Sequence, residues 1–484
     1  MVGWLWLAPF ILAFTPTAVW LYQRGTQSAF SEVHTLFMPF VLAYLIREQL
    51  KLDPDPTPRS SPLGFLFLVP ALLLVALDAA IRTQMLGAVA LVLALPGILL
   101  LLLGTQRTRE LAFPLALALF IVPIPTGMLT PIYSVLRPIA ASGTAFVLPL
   151  IGLPVARIGT SLAVPGLTVE VADNCGGWST IQAALITALV LAHFSRSRSR
   201  RVALLLGAIP LALVCNILRV SALVLLAQRY GADLLDTTLH PASGVILFGV
   251  VIAALFAIAG PDAMRSAPAT SQRTAISHRY ALPLALLCAL AAVPVAVHSS
   301  TSLRGDDCAN AAALVPVEGT IAPDRAKLME QQYQASQWRE GILPATSDAP
   351  ELRFAVIRSY EPRLLYYRGS RRLWQEVAPG GDTIEWLDSD DGRLPIVRSK
   401  LAGDRPEEPR AVIASLLVYE GEPVEQGWRA QLRAAPRQVF TGGRPMTLFV
   451  VRSNVGAHDR EAAEKRAREF LLDSWRTYRA LCRR

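Results

Sequence analysis

Asn174-Cys175-Gly176-Gly177-Trp178 opens an apolar run that closes at Phe194. Ser195-Arg196-Ser197-Arg198-Ser199-Arg200-Arg201 follows, and a second apolar run from Val202 carries Asn216 and Arg219 before it ends near Gln228. Two such runs joined by a dense arginine loop read as paired transmembrane helices with a cytoplasmic turn, because basic residues are retained on that side of a bilayer. A third apolar run starts at His240. This stretch decides the fold class and places a thiol at a helix start.

The bulk composition agrees. Of 484 residues, 53% are hydrophobic and 17% charged, with a mean hydropathy of +0.41. Soluble domains carry about a quarter charged residues, so the chain reads as a polytopic α-helical membrane protein. Runs able to cross about 30 Å of hydrocarbon lie near 3–23, 29–46, 62–80, 86–104, 111–127, 177–194, 202–228, 241–260 and 280–298. Eight to nine transmembrane helices are therefore expected. A further stretch, 132–153, contains Arg137, Pro138, Gly143 and Pro149 and reads as interfacial or re-entrant. The first run lacks a basic leader and continues into further spans, so no cleavable signal is expected.

Loop charges give the orientation. Arg47, Lys51, Arg59, Arg107, Arg109, Arg265, Arg273 and Arg279 fall on the same side as the arginine loop. Arg24, Arg82, Arg137, Arg157 and Arg229 fall on the other. The excess puts the N-terminus in the cytoplasm and everything after about residue 299 outside, as in a bacterial inner-membrane protein. The net charge of +9 then belongs to cytoplasmic loops, not to a nucleic-acid surface.

The expected division is 1–298, transmembrane, and 299–484, a soluble α+β domain. In the latter, β-type runs occur at Phe354–Tyr360, Leu364–Tyr367, Thr383–Leu387, Ala411–Tyr419 and Met446–Val451, separated by turn clusters such as Gly380-Gly381-Asp382. Ala463, Ala467, Phe470, Leu471, Ser474, Tyr478 and Leu481 then recur at helical spacing. The five cysteines show no metal spacing, and no cofactor is expected. Cys215 and Cys288 lie in apolar runs as small hydrophobes. Cys308 and Cys482 lie in the tail, where an oxidising compartment would let them pair.

Topology brings three polar residues to one depth. Cys175 precedes a run that enters from outside. Arg219 stands seventeen positions beyond Val202, about 26 Å along a helix that starts inside, which is near the outer boundary. His240 opens the next run at the same face. Arginine deep in a span is by default functional or paired within the bundle, here with Asp173 or Glu170 as the structural alternative. A cysteine attacks as thiolate, favoured by a nearby cation and by the dipole at the start of the helix following Gly176-Gly177. Arg219 cannot act as a base, so it suits thiolate or oxyanion stabilisation, while His240 titrates near neutrality as acid or base. Asn216 shares the Arg219 face and is positioned to hold the arginine or a substrate carbonyl. His193, beside the basic loop, reads as solvated.

These residues resemble the exosortase family of membrane-embedded cysteine transpeptidases, over roughly 29–260. The resemblance runs through Glu32-Val33-His34, Leu111-Ala112-Phe113-Pro114, Pro123-Ile124-Pro125, Gly152-Leu153-Pro154-Val155, Val164-Pro165-Gly166 and Glu170-Val171-Ala172-Asp173-Asn174-Cys175. Its specific boxes are the cysteine box, Asn216-x-x-Arg219 and His240-x-x-x-Gly244. It implies Cys175 as nucleophile with Arg219 and His240 as partners, and Asn216, Asn174, Gly176, Gly244 and His34 in support. It also implies substrates that are exported proteins with a C-terminal sorting signal: a Pro motif, an apolar helix and a basic tail, lying in membrane lipid beside the enzyme. Two positions depart from the family pattern: Gly176-Gly177-Trp178 replaces Ser-Gly after the cysteine, and Thr35 replaces a glycine after His34. Some exosortases carry a fused outer domain linked to exopolysaccharide production, which 299–484 resembles in position and size. Rival readings are a polytopic transporter, which predicts further charges lining a pathway, and a non-catalytic assembly factor for polysaccharide export.

Overall fold

A computed structural model describes residues 4–26, 34–52, 59–124, 126–171, 175–231, 239–261, 275–301, 329–330, 333–346, 350–373, 383–389, 392–402, 409–441, 443–454 and 460–482. The chain divides into two compact units. The first comprises 1–5, 14–71 and 88–284; the second comprises 6–13, 72–87 and 285–484. The second unit thus takes in the turn between two apolar helices as well as the tail.

The apolar runs fold as α1 (Leu7–Thr26), α2 (His34–Leu52), α3 (Gly64–Ile81), α4 (Met85–Glu110), α5 (Ala112–Leu117), α6 (Thr126–Leu150), α7 (Trp178–Phe194), α8 (Arg198–Tyr230), α9 (Leu239–Ala259) and α10 (Ala281–Thr301). Among the described residues, four are long and apolar enough to cross a membrane: α3, α4, α8 and the stretch Ala242–Ala259 of α9. Helix α3 meets α4 at Gly64 and Gly97, where a Cβ on Gly97 would stand 3.0 Å from the Gly64 carbonyl oxygen. Small residues let helix backbones approach closely in lipid, where no hydrophobic force holds helices together.

Two expectations change. The run at 111–127 is not one helix: it is helical over 112–121, α5 continuing as a short 3-10 turn to Ile121, and again from Thr126, where α6 begins. Ten residues rise about 15 Å, half a bilayer, and Pro123 follows. The stretch 132–153 is not broken. Up to Leu150 it lies in α6, a 25-residue helix that continues past Pro131 and Pro138. Gly143 sits against Ile217 of α8, and Leu136, Ala140, Ala141 and Leu148 are buried. Close packing along this face holds the helix through its prolines.

Between α6 and α7 the chain forms a three-stranded antiparallel meander: β1 (Ala156–Ile158), β2 (Ser161–Val164) and β3 (Leu167–Glu170). Leu162, Val164 and Val171 bury against Ala140, Ala141 and Leu148 of α6 and Val220 and Val224 of α8. Arg137 of α6 donates from Nε to the Val171 carbonyl at 2.7 Å and pairs with Glu170 at 2.7 Å. The meander is thereby fixed on the end of the bundle that carries Cys175.

The tail is a seven-stranded antiparallel sheet with helices on both faces. Its strands are β4 (Ala335–Leu343), β5 (Leu352–Ser359), β6 (Thr383–Ser389), β7 (Gly392–Ala402), β8 (Pro409–Tyr419), β9 (Glu422–Val424) and β10 (Met446–Asn454), in the order β4-β5-β10-β8-β7-β6 with β9 on β8. One face packs on α13 (Arg460–Cys482) through Ala467, Leu471, Trp475 and Tyr478. The other packs on α11 (Pro362–Leu373) and α12 (Gly427–Thr441) through Leu365, Leu373 and Ala434. With both faces covered, Ala411–Tyr419 is buried throughout, which is why that strand reads as a continuous apolar run. Leu364–Tyr367, expected as a strand, lies in α11, which Pro362 opens and which buries Leu365 and Leu373. The pairing of Cys308 with Cys482 falls outside the described residues.

Within the second unit, the α3–α4 turn is bound to the sheet domain. Arg363 donates to the Thr83 carbonyl at 2.9 Å and to Glu361 at 3.2 Å. Arg82 reaches the Tyr360 carbonyl at 3.4 Å, and the Gln431 amide donates to the Ile81 carbonyl at 2.9 Å. Thr83 donates to Asp78 at 2.5 Å. Burial pushes the Glu361 carboxyl up, and Arg363 and Arg82 pull it back.

Candidate functional site

Cys175 is the described residue that follows the meander, and a short turn carries the chain from it into α7. Its side chain packs against the cluster of Leu162, Val171 and Val220, which leaves it partly buried. Gly177 caps α7 in the left-handed region, with φ 87°. A Cβ there would stand 2.7 Å from Cγ of Asn216. Glycine is required twice at this position, for the backbone conformation and for the approach of Asn216.

Asn216 of α8 is almost fully buried, and its Nδ2 donates to the Cys175 carbonyl at 2.9 Å. It holds the main chain of the cysteine turn, where the sequence suggested a hold on Arg219 or a substrate. Its Oδ1 is buried without a hydrogen-bond partner among the described residues. One turn on, Arg219 is 8% exposed and donates from Nε to Ser243 Oγ of α9 at 3.0 Å. Its guanidinium lies along Gly244, whose added Cβ would meet Cζ at 3.6 Å, ordinary contact. Glu170, the alternative ion-pair partner for Arg219, is bound to Arg137; Asp173 lies outside the described residues.

The electrostatics of the thiol combine two effects. Burial, the larger, raises the Cys175 pKa above its ordinary value, and the positive charge of Arg219 lowers it. The guanidinium therefore acts on the sulfur through space. In the resting structure the net result is a protonated thiol at neutral pH.

The structure brings Cys175, Gly176, Asn216, Arg219 and Gly244 together where the starts of α7 and α9 meet the body of α8. Asn174 lies outside the described residues. His240 occupies the first turn of α9, three and four positions before Ser243 and Gly244 on the same helical stripe; its side chain lies outside the described residues. His34 opens α2. Gly177 and Ser243 were missed by sequence reasoning. The Gly-Gly doublet before an apolar helix was the available signal for the first, and three-residue spacing from His240 for the second. His193 is not merely solvated: its ring stacks on Phe113 with centroids 4.0 Å apart.

Apolar helices of membrane-crossing length, with a cysteine, an asparagine and an arginine gathered among them, define a polytopic membrane protein with a polar site in its bundle. The family model of the transmembrane exosortases matches residues 27–257, which supports membership of that family for this part of the chain. No curated protein and no solved structure matches the chain.

Proposed function

We propose that the chain is a membrane-embedded cysteine peptidase or transpeptidase that cleaves the C-terminal sorting signal of exported proteins at the outer face of a bacterial inner membrane. The observation that carries this reading is the fastening of Cys175 by Asn216 while Arg219, one turn along α8, acts on its sulfur. The substrate is an exported protein whose tail combines a Pro motif, an apolar helix and basic residues; that helix lies in lipid beside the bundle, its scissile bond at the depth of Cys175.

In this scheme His240 accepts the thiol proton, which the raised resting pKa makes necessary. The thiolate attacks the scissile carbonyl carbon and forms a tetrahedral oxyanion near Arg219, whose Nε bond to Ser243 fixes the guanidinium plane. Collapse breaks the C–N bond, the leaving amine takes the proton from His240, and a thioester remains on Cys175. A second nucleophile, water or an acceptor amine or hydroxyl, then attacks the thioester and regenerates the thiol. The N-terminal dipole of α7, directly after the cysteine turn, favours the negative sulfur. Residues 1–298 form the transmembrane part, with eight or nine crossings, N-terminus cytoplasmic. Residues 299–484 form the periplasmic part, which links the enzyme to exopolysaccharide machinery.

The test is a trap. Cells carrying the enzyme and a tagged substrate tail should yield a substrate-sized adduct on Cys175 that hydroxylamine releases, and Cys175→Ala should insert normally but process nothing. Continued processing by Cys175→Ala would overturn the proposal and favour a transporter or non-catalytic assembly factor.

A further inference from the structure

Helix α12 carries an exposed face that nothing in the catalytic proposal uses. Its buried side is occupied: Ala434 packs in the sheet core, Ala435 packs on Ala80 and Ile81 with Val439, Leu77 and Leu86 alongside, and Gln431 is bonded to the Ile81 carbonyl. On the same stripe, towards the start of the helix, Trp428 and Leu432 stand one turn apart, 46% and 48% exposed. Beside them runs a basic row, Arg429 and Arg433. Neither makes an ion pair among the described residues, and the Arg429 guanidinium lies 5.2 Å from the Trp428 ring centroid. Arg429 and Arg433 also line a cleft of about 260 Å³, closed by Trp386, Arg393, Pro395 and Glu425. Three arginines stand against Glu425 in the lining and Asp388, which pairs with Arg393 at 3.3 Å, and this leaves the cleft positive.

What covers this face follows from where α12 is fastened. Ile81 and Leu77 end α3, and Leu86 begins α4; both helices have membrane-crossing length and composition. Their connecting turn is therefore at a bilayer surface. A helix bonded to that turn, with an apolar row next to its contact side and a basic row beyond, has the pattern of an interfacial helix: apolar residues at acyl depth, arginines at the phosphates, tryptophan between.

We propose that α12 and the adjoining arginine cleft bind anionic phospholipid headgroups of the leaflet that the α3–α4 turn faces. Trp428 and Leu432 enter the upper acyl region, and Arg393, Arg429 and Arg433 take the phosphates. The proposal is independent of the peptidase reading and of which leaflet is involved.

The test uses the full chain in lipid nanodiscs, with the Trp428 fluorescence obtained as the difference between the native chain and Trp428→Phe. Lipids brominated high in the acyl chain should quench this difference signal, and aqueous iodide should not. At equal minor fractions, brominated phosphatidylglycerol should quench about fivefold more than brominated phosphatidylcholine, the preference one well-placed arginine gives at an anionic surface. Replacing Arg393, Arg429 and Arg433 with Gln should abolish that preference while Cys175→Ala keeps it. If the triple variant fails to fold by circular dichroism, Arg433→Gln must lower the preference for the proposal to stand. Equal quenching by the two lipids, free access of iodide, or quenching of detergent-purified chain by a soluble anionic polysaccharide in place of lipid would each overturn it.

Discussion

At the sulfur, the sign of the electrostatic effects makes an experiment. Burial favours the protonated thiol and Arg219 favours the thiolate, so the thiolate fraction of Cys175 rises only as pH climbs through a value above the usual cysteine range. Arg219→Gln removes the favourable charge and moves that value further up. Iodoacetamide labelling of Cys175 near neutral pH should then slow about tenfold, one pKa unit, with the rate profile displaced to higher pH. Peptide mass spectrometry measures it, and an unchanged profile would show that the guanidinium does not reach the sulfur. Gly177 offers a second handle. Gly177→Ala would force a Cβ into a left-handed residue, costing about 1–2 kcal/mol, and into Asn216, 2.7 Å away. Processing should be lost while the chain still inserts, whereas Gly244→Ala, whose Cβ meets Arg219 at ordinary distance, should be tolerated.

Among the elements, the α3–α4 turn and α11 share charges that burial makes interdependent. Arg363 and Glu361 have side chains 12% and 14% exposed. Arg363→Ala leaves Glu361 buried with less compensation and should destabilise the second unit by about 3 kcal/mol. Limited proteolysis would read the loss, and Glu361→Gln in the same chain should restore part of it. The elements also show what sequence could and could not reveal. Long apolar runs such as 202–228 and the α13 pattern carry one dominant periodicity, so they were legible. Helix α6 was not, because Pro138 and Gly143 suggest a break that packing on Ile217 prevents. The meander β1–β3 was hidden because strands of three or four residues give too short an alternation to register. Strand β7 was hidden too, its Arg393, Pro395, Arg398 and Lys400 masking a strand that buries Leu394 and Ile396. At the site, the gathering of Cys175, Asn216 and Arg219 was readable from depth along apolar runs. The Asn216 bond to a backbone carbonyl was not, because that partner has no sequence identity.

For the whole molecule, the loop charges lead one to expect the tail outside and the arginine loop in the cytoplasm, and reporter fusions test that expectation. A C-terminal alkaline phosphatase fusion should therefore be active in a bacterial host, and a C-terminal green fluorescent protein fusion dark. The same reporters placed in the Ser195–Arg201 loop should behave in the opposite way. Agreement at both sites would establish the topology, and an active phosphatase in the loop would reverse it.

The strand order of the tail also governs how it can be made. β10 lies between β5 and β8 and bonds to both, yet it is synthesised after every other strand. Until Met446–Asn454 has emerged, β5 and β8 each expose an unsatisfied edge, open to mispairing with neighbouring chains. A nascent chain stalled before that point cannot close its sheet. Its cell must shield those edges with chaperones or destroy the fragment, and a premature stop codon between 419 and 446 would give clumping material instead of a smaller working domain.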